Sequence, residues 1–202
     1  MTTRAVSRRS ALRRIGAGAG ALTLLPFLSE EGLAAFVKIQ AAGAAPAPKV
    51  VSPSQYATLE ALVEAIIPAD ERSPGAKEAR VADYIDLLLS EAGDDSVRET
   101  WLGGLAALDT EAGTRFGAAF VRLAPAQVET LLTDLSRNEA AAEKTPLEAF
   151  FTTTKQATIH AYYTSEIGIH KELHYKGNQL LAEFVGCQTQ DGKDCPHCGQ
   201  KA

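Results

Sequence analysis

The sequence predicts an all-α domain, a compact bundle of about five helices that follows an export leader and precedes an irregular tail holding every cysteine. Three observations carry this reading. Apolar residues recur at i, i+3, i+4 and i+7 through most of the chain between residues 48 and 184. No segment alternates apolar and polar residues with period two, and Val and Ile are sparse. Each apolar stripe is bounded by a Ser or Thr cap, a Pro or a Gly, the residues that start and stop helices.

The first 47 residues are set apart as a leader and linker. Ser7-Arg8-Arg9-Ser10-Ala11-Leu12 places paired arginines directly ahead of an apolar run, the arrangement of a twin-arginine export address. The run from Ile15 to Leu28 is 14 residues long, uncharged and rich in Gly and Ala. A membrane-spanning helix needs roughly 20 apolar residues, so this stretch fits the middle of a signal better than a span. Gln40-Ala41-Ala42-Gly43-Ala44-Ala45-Pro46-Ala47 then supplies small residues where a peptidase can cut and a linker can begin. An uncleaved anchor and a general secretory signal are the alternatives. The expected location is periplasmic, reached through the twin-arginine translocase, with membrane association only through partner subunits.

The helices follow in order. Ser52-Pro53 reads as a cap and first turn, and Leu59, Leu62, Val63, Ile66 and Ile67 form one stripe that Pro68 stops. After a loop through Pro74-Gly75, Val81, Tyr84, Ile85, Leu88 and Leu89 repeat the stripe up to Gly93. A third segment from about Ser96 carries Trp101, Leu105, Leu108, Phe116, Phe120 and Leu123. Gly103, Gly104 and Gly113 weaken it, so it reads as two helices or one kinked helix. Pro125 opens a fourth with Val128, Leu131, Leu132 and Leu135, and Thr145-Pro146 opens a fifth running to about Tyr163. These make one domain over residues 48–184, and residues 185–202 form the tail.

Charge narrows the partners. The chain has 20 basic and 25 acidic residues, but the leader holds six of the former and two of the latter, so the remainder carries about −9. An acidic body argues against nucleic acid.

Candidate chemistry is thin. Cys187, Cys195 and Cys198 could form a disulfide within the chain or to a partner, or the Cys195-Pro196-His197-Cys198 turn could present two thiolates to a metal, with Cys187 and either His197 or His174 completing four ligands. No second C-x-x-C accompanies it, and Gly199 stands where haem attachment needs His. His170 and His174 would share one face if that stretch were helical, but Gly168 and Gly177 suggest a loop. His160 reads as a packed helix histidine, and Asp70-Glu71 as local caps or solvated acids. None of the phosphate-loop, dinucleotide, nucleophile-elbow or zinc-protease patterns occurs, so no catalytic residue and no resident metal or cofactor are expected in this chain.

Ile66-Ile67-Pro68-Ala69-Asp70, then Ser73-Pro74-Gly75-Ala76 and Val81-Ala82-Asp83-Tyr84-Ile85-Asp86, resemble the gluconate 2-dehydrogenase subunit 3 family. So do Tyr162-Tyr163-Thr164-Ser165-Glu166-Ile167-Gly168 and Gly186-Cys187. The resemblance covers about residues 52–187. It implies a small, non-catalytic subunit that supplies the export signal for an FAD-dependent dehydrogenase of the glucose-methanol-choline type and helps it mature, in some complexes with a cytochrome c subunit. On that reading Tyr162, Tyr163, Ile167, Ile169, Leu173 and Tyr175 are the expected partner anchors, since aromatic and large apolar side chains dominate interface energetics. An electron-transfer or metal-binding module built on the cysteine tail is the alternative function.

Overall fold

The computed structural model describes residues 28–42, 47–175 and 177–178, and among these it holds six α-helices, one 3₁₀ turn, one π turn and no strand. The helices are α1 (Glu30–Ala41), α2 (Pro53–Ile66), α3 (Val81–Glu91), α4 (Asp95–Phe116), α5 (Pro125–Ser136) and α6 (Pro146–Thr164). The 3₁₀ turn, Phe120–Arg122, joins α4 to α5, and the π turn, Gly168–Glu172, follows α6. None of the described helices is long and apolar enough to cross a membrane.

The caps explain the boundaries. Ser52 and Thr145 each accept a hydrogen bond from the amide three residues on, while Gln55 and Glu148 reach back to the cap amides. Pro53, Pro125 and Pro146 take first-turn positions, where no amide hydrogen is needed. At the other end of α3, Arg98 donates to the carbonyls of Leu89 at 3.2 Å and Ala92 at 2.6 Å, placing a cation on the negative end of the helix.

α3 is the axis of the bundle. Every residue from Val81 to Leu89 is buried, because α1, α2 and α6 each lie against it. Its stripe was legible, but its two aspartates are buried as well. Asp86 accepts hydrogen bonds from the amides of Lys49 at 2.6 Å, Val50 at 2.9 Å and Val51 at 3.0 Å, which fixes the chain just ahead of α2. Asp83 lies beside Arg80, with 3.2 Å between Nε and the carboxylate. Burial pushes its carboxyl above the usual range, and Arg80 draws it part of the way back.

α4 settles the question left by its glycines: it is one continuous helix of 22 residues, ended by Gly117 in the left-handed region at φ 74°. Gly104 is there for contact rather than for a break. A Cβ at this position would run into the ring of Phe150 on α6, which also meets Trp101 edge-on at 5.6 Å. Phe120 and Leu123, expected on the same helical segment, belong to the turn beyond it. Asp109 on α4 holds that turn by accepting from the Phe120 amide at 3.0 Å, and it accepts from the Thr58 hydroxyl of α2 at 3.0 Å.

α1 falls inside the segment set apart as leader and linker. It nevertheless contributes to the core: Phe36 is 1% exposed and stands edge-on to Tyr84 at 5.1 Å.

Candidate docking surface

The end of α6 and the turn after it carry the features a partner would meet. α6 buries Phe150, Phe151, Thr154, Ala157, Thr158, Ala161 and Tyr162, a helical stripe facing α3, α4 and α5. Thr154 and Thr158 are fully buried and satisfy their hydroxyls on the carbonyls four residues back, so they add no unpaired group to the core.

Ser165 ends the helix. It is fully buried; its hydroxyl donates to the Tyr162 carbonyl at 2.6 Å and accepts from the Gly168 amide at 3.0 Å. Those two bonds fold the chain back, and Leu173 then donates to the Gly168 carbonyl at 3.0 Å to close the π turn. Gly168 is required by space, since a Cβ there would strike the Tyr162 carbonyl. The Tyr-Tyr-Thr-Ser-Glu-Ile-Gly stretch therefore works as a single corner.

The corner sorts the expected anchors. Tyr163, Leu173 and Tyr175 are 40%, 56% and 47% exposed, large apolar side chains turned to solvent. Ile167 and Ile169 are half-buried, and Ile167 packs against the core. Tyr162 is a correction. It is 2% exposed, and its hydroxyl donates to the Pro74 carbonyl at 2.7 Å and shares a 2.7 Å hydrogen bond with the Ser73 hydroxyl. It locks the loop between α2 and α3 onto α6 and offers nothing to a partner. Ile159, outside the expected set, is also 41% exposed, one turn before Tyr163 on the same helix face.

Other candidates resolve locally. Asp70 accepts from the amides of Arg72 and Ser73, both at 2.8 Å, and these bonds hold its carboxyl below the usual range. It shapes its own loop. His174 has φ 50° and lies beyond the π turn, so it shares no helical face with His170. His160 packs near the Tyr84 ring, 6.0 Å between centroids, and burial lowers its pKa. Among the described residues no cluster of three or more His, Cys, Asp or Glu could hold a metal. Arg8, Arg9, Cys187, Cys195 and Cys198 lie outside the described residues.

An open apolar groove of about 710 Å³ runs between α2 and α5, lined by Ala57, Ala61, Ala65, Val128 and Leu132. Glu60, Glu64, Lys77 and Glu129 also line it, and Lys77 pairs with Glu60 at 2.8 Å.

Comparison with curated proteins and with solved structures returns no match for this chain. A family model described as gluconate 2-dehydrogenase subunit 3 matches residues 53–179, from the first residue of α2 to just past the exposed corner. That span is well over half of the 202 residues, and the chain belongs to the gluconate 2-dehydrogenase subunit 3 family.

Proposed function

We propose that this chain is the small accessory subunit of an exported, FAD-dependent sugar or alcohol dehydrogenase of the glucose-methanol-choline type. The family's description is of one subunit of a dehydrogenase complex. In this reading the flavin and the chemistry belong to a large partner subunit, with a cytochrome c subunit as a further member of the assembly. The present chain brings the twin-arginine address, binds the folded partner in the cytoplasm while flavin is loaded, and travels with it to the periplasm.

The observation that carries the proposal is the corner after α6. It lies within the family-matched span and presents Tyr163, Leu173 and Tyr175 to solvent on a backbone held by buried hydrogen bonds. Anchors on a rigid support lose little freedom on binding, which favours affinity. A partner that must survive transport as a complex needs a large contact, on the order of 2,000 Å² or more, with an apolar centre.

Replacing both Arg8 and Arg9 by Lys in the native host tests the carrier role. The expected result is loss of this chain and of the flavoprotein from the periplasm together. A flavoprotein that still reaches the periplasm at its normal level refutes it.

A further inference from the structure

α1 poses a conflict between sequence and fold. The small residues that suit a peptidase, Ala41 to Ala47, begin at its last residue, so a cut among them would strip α1 from the protein. Yet α1 is built into the domain at both ends and in the middle.

At its start, the Glu91 carboxylate at the end of α3 accepts from the Ser29 amide at 2.8 Å and from the Ser29 hydroxyl at 2.6 Å. The same hydroxyl accepts from the Gly32 amide at 3.0 Å and caps α1. Gly32 lies so close to α3 that a Cβ would run into the Glu91 carboxylate. In the middle, Phe36 fills a gap against Tyr84 and is 1% exposed. Toward its end, Ala35 and Ile39 line a small cavity with Leu87, Asp83 and Asp86 of α3. Removing α1 would open to water an aromatic ring and two carboxylates that the fold keeps at 2–5% exposure. A 12-residue helix is marginal in water on its own, so α1 owes its form to this seat as much as the seat owes its cover to α1.

We propose that Ser29–Ala41 is a resident element of the mature subunit, and that the Ala41–Ala47 run is not where the chain is cut. This rests on reading the residues ahead of it as an export leader. The mature protein then begins at or ahead of Ser29 and presents the outer stripe of α1, where Leu33 and Val37 are 48% and 57% exposed.

The test is the intact mass of the full chain recovered from the periplasm of a host with a twin-arginine system. An N-terminus at or before Ser29, an unprocessed chain included, is expected; an N-terminus between residues 42 and 49 overturns the proposal and leaves the export reading standing. A chain that never leaves the cytoplasm refutes the export reading instead, and a second measurement then decides on the helix. In the full-length chain Phe36→Ala is expected to lower the melting midpoint by about 8–15 °C, while Val37→Ala moves it by no more than about 2 °C. Equal midpoints for Phe36→Ala and the parent chain mean that α1 is not part of the fold.

Discussion

Replacing Asp86 by Ala should be among the most damaging single changes that touch no apolar side chain. The carboxylate is 4% exposed and accepts three backbone hydrogen bonds, at 2.6, 2.9 and 3.0 Å. Bonds to a charged acceptor contribute about 1.5–3 kcal/mol each where water cannot replace them. Lys49 is exposed and Val50 half-buried, so water recovers most of what their amides lose. Val51 is 4% exposed, and its amide would be left buried without an acceptor, at a cost of about 1–3 kcal/mol. Relief of the desolvated charge offsets part of the total. The net expectation is a loss of about 2–4 kcal/mol, or roughly 5–15 °C in melting midpoint for a domain of this size. Urea unfolding followed by the fluorescence of Trp101, the single and fully packed tryptophan, measures it directly. Asp86→Asn keeps one acceptor and should fall between the two. If Asp86→Ala lies within about 0.5 kcal/mol of the parent at unchanged slope, the carboxylate is not what holds the chain ahead of α2.

Neighbouring glycines in α4 should respond with opposite signs. Gly103→Ala meets open space and should stabilise by about 0.4–1 kcal/mol, whereas Gly104→Ala collides with Phe150 and should cost about 1–3 kcal/mol; paired unfolding curves that shift the same way contradict the packing described. His160 should add an acid-side slope to stability. Burial holds its pKa below the ordinary value of about 6.5, so the unfolded chain takes up the proton first and stability falls as pH drops below that value. His160→Gln should flatten the fall between pH 6.5 and 5, and identical urea midpoints against pH for the two proteins would rule this out. At the corner, Tyr163→Ala with Leu173→Ser should leave the melting midpoint of the isolated chain within about 2 °C while weakening capture of the proposed flavoprotein partner about 100-fold or more. Unchanged capture in a pull-down from the native host would place the interface elsewhere.

The helices with one wet face were readable because their stripes are regular and their caps are local. Ser52-Pro53 and Thr145-Pro146 mark α2 and α6 within a residue of where they begin. Where burial does not follow the stripe, periodicity misleads. α3 is covered by α1, α2 and α6, so the stripe of Val81, Tyr84, Ile85, Leu88 and Leu89 does not reveal that Asp83 and Asp86 are buried too, beside Arg80 and the amides ahead of α2. Glycine in α4 signalled a break, because the sequence does not show that Phe150 needs the space. Tyr162 and Tyr163 are adjacent and chemically alike; only the corner made by Ser165 and Gly168 decides which enters the core. α1 was passed over because its Ala-rich composition continues that of the leader. Its fit depends on Glu91, 62 residues from Ser29, and no local pattern could announce that pairing.

The covering of α3 also sets a timetable for synthesis. Its neighbours α1 and α2 precede it in the chain, but α6, which closes another side, is the last α-helix described. On a ribosome adding roughly 5–20 residues per second, the roughly 70 residues between the end of α3 and the end of α6 take about 4–15 s to appear. Throughout that interval the side of α3 that α6 will cover stays open, although α1 and α2 have already been made. If Arg8 and Arg9 act as the proposed export address, that address emerges at the very start, long before any folded body exists for it to escort. On that reading, delivery has to wait until α6 has closed over α3.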